Sequence, residues 1–120
     1  MKTDRIEQTT ELATGVVVYE NYFRERERHR LATEGPALIH RDPRTGAVLA
    51  EAYLEEGKRH RTDGPAVIER NASGAIIREV YCVKGVLHRD PLEGPALIER
   101  KSPHNPDQIT RAEYYVILIR

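Results

Sequence analysis

Apolar residues come in short runs along this chain, and each run is closed by a glycine, a proline or a pair of charged residues. Ala66-Val67-Ile68 follows Gly64-Pro65 and leads into Glu69-Arg70. Asn71-Ala72-Ser73-Gly74 then supplies turn residues, and Ala75 to Val83 returns as a stretch rich in β-formers that stops at Lys84-Gly85. Asp42-Pro43-Arg44-Thr45-Gly46 and Glu56-Gly57 are the counterparts one unit earlier. Gly64 can take a positive φ, whereas Pro65 fixes its own φ and donates no hydrogen bond, so the pair suits the first position of a strand after a turn. Only about ten residues separate successive turn signals, which leaves no room for crossover helices. The strands therefore run antiparallel as a meander. The predicted fold class is all-β, a single antiparallel sheet of repeated β-hairpins.

Inside and outside are not cleanly separated. In Ala37-Leu38-Ile39, Ala66-Val67-Ile68 and Ala96-Leu97-Ile98 both strand parities are apolar. Such strands are buried on both sides, or buried on one and used for contact on the other. A curled sheet, a half-pipe, hides the excess most simply, and a dimer is the other solution. Residues 1–14 read as an N-terminal segment that could cap the sheet as a helix, because Thr3-Asp4-Arg5-Ile6-Glu7 resembles a capped helix start and Ile6, Thr9 or Thr10, and Ala13 form a weak apolar stripe.

The turn signals belong to an internal repeat. Gly35-Pro36-Ala37, Gly64-Pro65-Ala66 and Gly94-Pro95-Ala96 lie 29 and 30 residues apart. Each continues as Ala-x-Ile-x-Arg to Arg41, Arg70 or Arg100, and each is preceded by His29-Arg30, His60-Arg61 or His88-Arg89. Tyr22, Tyr53 and Tyr81 stand seven positions before those histidines, with Glu20, Glu51 and Glu79 two positions before the tyrosines. Gln108, Glu113 and Tyr115 start the cycle again at the C-terminus. The repeat domain thus spans residues 15–120, with units of about 15–45, 46–73 and 74–107 and a closing strand at 108–120.

Hairpin units in which Tyr is followed by Gly four positions later, as in Tyr53 to Gly57 and Tyr81 to Gly85, resemble variant MORN repeats, a family that includes antitoxin-like bacterial and phage proteins. The run Gly57-Lys58-Arg59-His60-Arg61-Thr62-Asp63-Gly64-Pro65-Ala66 is similar to a subset of them. The chain departs from the common form in its longer period, in Arg26 where Gly is expected, and in His-Arg in place of the usual second Gly. The resemblance implies an elongated or half-pipe sheet that binds other macromolecules, and it implies no chemistry.

Charge narrows the classes further. Nineteen Lys and Arg balance nineteen Asp and Glu, which argues against a dedicated nucleic-acid binder. No apolar run approaches the roughly 20 residues of a membrane helix, and the N-terminus lacks the apolar core of a secretion signal. With Cys82 as the single cysteine, a cytoplasmic location is the expectation. Within the basic set, 15 Arg stand against 4 Lys, a bias toward cations that are planar, packed and fixed in direction.

The His-Arg pairs invite two readings. In one, each His or Arg ties its own turn, bonding neighbouring carbonyls or the acid before Gly-Pro, which is Glu34, Asp63 or Glu93. In the other, His29, Arg30, His60, Arg61, His88 and Arg89 form a ridge for an acidic partner surface, joined by His104 and Asn105 in the expanded third loop. Positions about 10 Å apart along a stacked repeat cannot share one metal ion, so no metal site or cofactor is expected. Gly35, Pro36, Gly64, Pro65, Gly94, Pro95, Tyr22, Tyr53, Tyr81 and Tyr115 are read as structural repeat positions. Arg41, Arg70 and Arg100 are expected to pair with Glu51, Glu79 or their neighbours across the hairpin. Arg24, Arg26, Arg28 and Arg30 would give one cationic strand face, which together with the His-Arg ridge supports a nucleic-acid-binding alternative, weakened by the alternating Glu25 and Glu27.

No nucleophile, base and orienting group come together in the sequence, and Cys82 within a strand reads as an inert thiol. The expectation is a non-enzymatic protein-binding module that masks or scaffolds a partner, of the antitoxin, immunity or phage-inhibitor type. Tyr114-Tyr115-Val116-Ile117-Leu118-Ile119, the most hydrophobic run, is read as the closing strand. Otherwise it is an open edge for β-augmentation or homodimerisation.

Overall fold

The computed structural model describes residues 2–100 and 108–117, all-β throughout. His104 and Asn105 therefore lie outside the described residues. Each Gly-Pro turn is followed by a short strand: β4 (Leu38–Arg41), β8 (Val67–Arg70) and β12 (Leu97–Arg100). Each of these returns through a turn into a longer strand: β5 (Val48–Ala52), β9 (Ile76–Val80) and β13 (Ile109–Glu113). With β1 (Arg5–Thr10) and β2 (Val17–Arg24) they form one antiparallel sheet in the order β1-β2-β4-β5-β8-β9-β12-β13, with β3 (Glu27–Arg28) pairing the end of β2. The sheet is open, with β1 and β13 at its edges. The hairpins β1-β2, β4-β5, β8-β9 and β12-β13 each carry a register shift next to the turn, opposite Thr10, Arg41, Arg70 and Arg100. That repetition marks the bulge as part of the unit rather than a local accident.

Each long strand breaks at its tyrosine and continues into a two-residue hairpin: β6 (Leu54–Glu55) with β7 (Lys58–Arg59), and β10 (Cys82–Val83) with β11 (Val86–Leu87). Glu56-Gly57 and Lys84-Gly85 both have positive φ at the two turn positions, the conformation whose twist matches a tight hairpin. The short hairpins stack on their neighbours through pairs of backbone bonds, Gly57 N–H to the Arg28 carbonyl with Arg30 N–H to that of Leu54, and Gly85 N–H to the Arg59 carbonyl with Arg61 N–H to that of Cys82. Cys82, Leu54 and Leu87 from this second row pack with Leu38, Ala52, Val67, Val80 and Leu97 of the main sheet, and the core is this cluster.

The N-terminal helix does not form. Residues 5–10 are strand β1, paired with β2 from Arg5 opposite Phe23 to Thr10 opposite Val17. A segment this short is marginal as an isolated helix, and the free edge of β2 offers it a ladder instead. In that ladder Glu7 and Gln8 stand where β8 has Val67 and Ile68, so β1 is a polar version of the repeat strand, as terminal repeats require.

The second apolar parity is buried within one chain at Ile68 and Ile98 and half-buried at Ile39. Ile68 lies opposite Glu51 and Glu79, and Ile98 opposite Glu79 and Ala112. Both isoleucines are less than a tenth exposed, flanked by charged side chains whose aliphatic stems can cover them.

Candidate functional site

The face carrying Ile68 and Ile98 also carries the most regular polar structure in the molecule. In each unit an arginine lies flat over a tyrosine: Arg30 over Tyr22 at 3.9 Å, Arg61 over Tyr53 at 4.0 Å and Arg89 over Tyr81 at 3.9 Å. A guanidinium at this distance is held by the ring's electron-rich face. Its Nη1 also donates to the carbonyl of the Gly-Pro proline at 3.2 Å, Pro36, Pro65 or Pro95 respectively. This explains the glycine of the motif. A Cβ on Gly35 or Gly94 would lie 2.8 or 2.6 Å from that Nη1, and one on Gly64 would lie 3.0 Å from the Arg61 Cζ. Proline contributes the acceptor and glycine the space.

Beneath each tyrosine sits its glutamate. Tyr22 Oη donates to Glu20 at 3.0 Å, and Tyr81 Oη to Glu79 at 3.3 Å. Burial first, then the glutamate bond for Tyr22 and the Glu79 charge for Tyr81, hold both phenols above the ordinary 10.0. Each glutamate in turn pairs with the arginine that ends the Ala-x-Ile-x-Arg strand: Arg41 with Glu20 at 2.5 Å, Arg100 with Glu79 at 2.5 Å, and Arg70 with Glu51. The arginines thus reach back to the preceding strand and not across their own hairpin. The register places each glutamate beside the isoleucine two positions before the arginine, on the face that the arginine shares with that isoleucine. One unit therefore reads Arg–Tyr–Glu–Arg in space, from residues scattered over some 20 positions of sequence.

The histidines do a different job. His29 Nδ1 accepts the Glu56 N–H at 3.0 Å, His60 Nδ1 the Lys84 N–H at 3.0 Å, and His88 Nδ1 the Ile117 N–H at 2.9 Å. Glu56 and Lys84 are the positive-φ residues that open the next unit's tight turn, so His29 and His60 each pin the strained turn of the following unit. Glu25 has the same conformation, and its N–H goes to Asp4 Oδ2 at 2.9 Å. Asp4 stands in for a histidine that would precede the first unit. No sequence signal singles out Asp4, because its role is defined only by the turn it meets.

Of the acids before Gly-Pro, Asp63 bonds its arginine, Arg61 Nε at 3.0 Å. In the third unit the spacing from Arg89 to Glu93 is longer, and Arg89 Nε is enclosed with no hydrogen-bond partner among the described residues. A groove of about 720 Å³ opens between the second and third units, walled by Arg61, Asp63, Tyr81, His88, Arg89 and Glu93. Of the residues expected to form the ridge, Arg61, His88 and Arg89 line this groove, His60 does not, and His29 is buried at 2 % exposure.

The expected cationic strand face is absent. Glu25 turns the chain at φ 57°, so Arg24 ends β2, Arg28 lies on β3 bonded to Asn21, and Arg30 is stacked on Tyr22. Alternation over Arg24 to Arg30 holds only in an unbroken strand. The partial fourth copy is also one residue out of step. Ala96 N–H bonds the Glu113 carbonyl as Ala66 N–H bonds that of Val80, so Tyr114 occupies the backbone position of Tyr81 and Ala112 that of Glu79. Tyr115 instead bonds Glu113 by its own hydroxyl at 2.6 Å.

Cys82 is 2 % exposed, and burial pushes its thiol up, which disfavours the nucleophilic form. Among the described residues no three His, Cys, Asp or Glu side chains converge in a geometry for a metal ion, and no helix is long and apolar enough to cross a membrane. What this face presents is a set of arginines already stripped of rotamer freedom, aimed from fixed positions. Comparison with family models, with curated proteins and with solved structures returns no match for the chain.

Proposed function

We propose that this chain is a non-enzymatic, cytoplasmic module of MORN-like hairpin repeats that binds a partner protein and masks or scaffolds it, as an antitoxin, immunity protein or phage-encoded inhibitor does. The observation that carries this reading is the groove between units two and three, where Arg61 and Arg89 stand stacked on Tyr53 and Tyr81. Arginine and tyrosine dominate the energetics of protein interfaces, and side chains ordered before binding lose little entropy on contact. The groove holds Asp63 and Glu93 beside the arginines, so it fits a partner with paired charges of both signs better than a uniform polyanion.

Affinity capture from the native host tests this. The wild-type chain is expected to retain one protein in stoichiometric yield, and the Arg61→Ala/Arg89→Ala variant to lose it while still melting cooperatively. Retention of no protein by the wild type, or equal capture by the folded variant, overturns the proposal.

A further inference from the structure

The two edges of the sheet are not equivalent. On β1 every residue is exposed and polar except Ile6. Around β13 the exposed large apolar side chains gather instead: Ile109 at 52 %, Tyr114 at 61 %, Tyr115 at 42 % and Val116 at 49 % exposure. A bare edge with apolar neighbours is a template for another strand. Its charges say which strand fits.

Continuation of the repeat by β1 of another copy would place Glu7 opposite Glu113, since Glu7 is the counterpart of Leu97, and Glu113 that of Val80. Like charges directly opposed are destabilising, and here they would stand on the core side. Head-to-tail stacking is thereby blocked. Pairing of β13 with itself behaves differently. Glu113 turns its carbonyl inward to Ala96, so the alternation of an antiparallel strand turns the N–H and C=O of Ala112 to the open side. With Ala112 facing Ala112 of a second copy across a two-fold axis, Arg111 lies opposite Glu113 of that copy, and Glu113 opposite its Arg111. Moving the two-fold axis by one residue in either direction sets Arg111 against Arg111, or Glu113 against Glu113. In the Ala112 register the smallest side chain lies on the axis, and Ile109 of each copy lies beyond it on the side of the other's Tyr114.

We propose that β13 is a homodimer edge, two copies joining antiparallel about Ala112 with reciprocal Arg111–Glu113 pairs. The groove between units two and three is separate from this edge, so the dimer stands whether or not that groove binds a partner. A two-fold pairing also closes on itself, consuming both β13 edges and leaving only the two polar β1 edges outside.

Sedimentation and light scattering of the full chain test it, with circular dichroism to confirm the fold of every variant. The wild type is expected to be a dimer. Arg111→Glu places four acids at the axis and Glu113→Arg four cations, so each alone is expected to weaken the dimer at least tenfold. Mixed in equal amounts, these two variants restore opposite charges at both pairs and are expected to form a heterodimer. Ala112→Pro removes the outward N–H and is expected to give a monomer with the inner ladder intact. A wild type that is monomeric up to its solubility limit overturns the proposal. So do open-ended oligomers, or folded Arg111→Glu and Glu113→Arg chains that stay dimeric alone or fail to pair on mixing.

Discussion

Leu97 and Ile98 are neighbours on β12, exposed by only 4 % and 6 %, yet they close opposite faces of the sheet in different ways. Leu97 lies opposite Val80 on one side and packs into the aliphatic cluster with Cys82 and Val67. Ile98 lies between Glu79 and Ala112, on the face of the Arg–Tyr–Glu–Arg columns. One face is sealed by apolar side-chain contacts. The other is sealed by charged and aromatic groups that bury an isoleucine beneath their stems and keep their heads half in solvent. A sheet with apolar residues on both parities therefore needs no second layer on its second face, provided the charges that cover it are matched in register.

The sharpest break of this comparison is a pair of truncations. Leu97→Ala is expected to cost about 3–4 kcal/mol, because its close-packed neighbours cannot collapse into the space. Ile98→Ala should cost about 2 kcal/mol, near the low end for such a deletion, since flexible stems and water can refill the site. Urea unfolding of both variants decides it. Equal losses would mean that the charged face is as rigid as the core.

Glu79→Ala addresses the charged face directly. It strips Arg100 of its ion pair and Tyr81 of its acceptor, at a site where the paired side chains are 22 % and 15 % exposed. Leaving a half-buried cation and a phenol unsatisfied is expected to cost about 2 kcal/mol. Asp63→Ala removes an ion pair whose carboxylate is 75 % exposed, and should stay within about 0.5 kcal/mol. If the two losses were equal, the columns would be ordinary surface pairs and not the seal of a face.

These columns also show where the sequence stops being readable. The hairpins, their antiparallel order and the unit boundaries follow from glycine, proline and β-former spacing, because turn chemistry is local. That Glu and Arg recur in register is visible too. Which arginine meets which glutamate is not, because alternation puts each arginine on the isoleucine face, where a glutamate can stand on either neighbouring strand, as Glu20 and Glu51 both flank Ile39. Arg30 is legible as a motif position and as a charge in a run, but not as a cation on Tyr22, because a positive φ at Glu25 takes it out of that run. Residues 5–10 have weak helical and weak strand signals alike, and the free edge of β2 decides between them. Asp4 resists any motif, since it does for the Glu25 turn what the motif histidine His29 does for the next one.

Alkali separates the faces by their ionisable groups. On the core side burial raises the Cys82 thiol above its ordinary 9.0; on the column side burial and the glutamates raise Tyr22 and Tyr81 above 10.0. All three groups hold their protons more tightly in the folded chain than in the unfolded one. Their contribution to stability is thus whole below pH 9.0 and is lost as pH rises, because the unfolded state gains free energy by releasing protons first. The loss should begin with Cys82 on passing 9.0 and continue with the tyrosines on passing 10.0. Cys82→Ala removes the first phase and leaves the second, whereas Tyr81→Phe lessens the second and leaves the first. Urea midpoints across this range, with tyrosinate absorbance followed in parallel, are the measurement. A midpoint that holds steady through both ordinary values would mean that neither face excludes charge, and the contrast between Leu97 and Ile98 would then need a different cause.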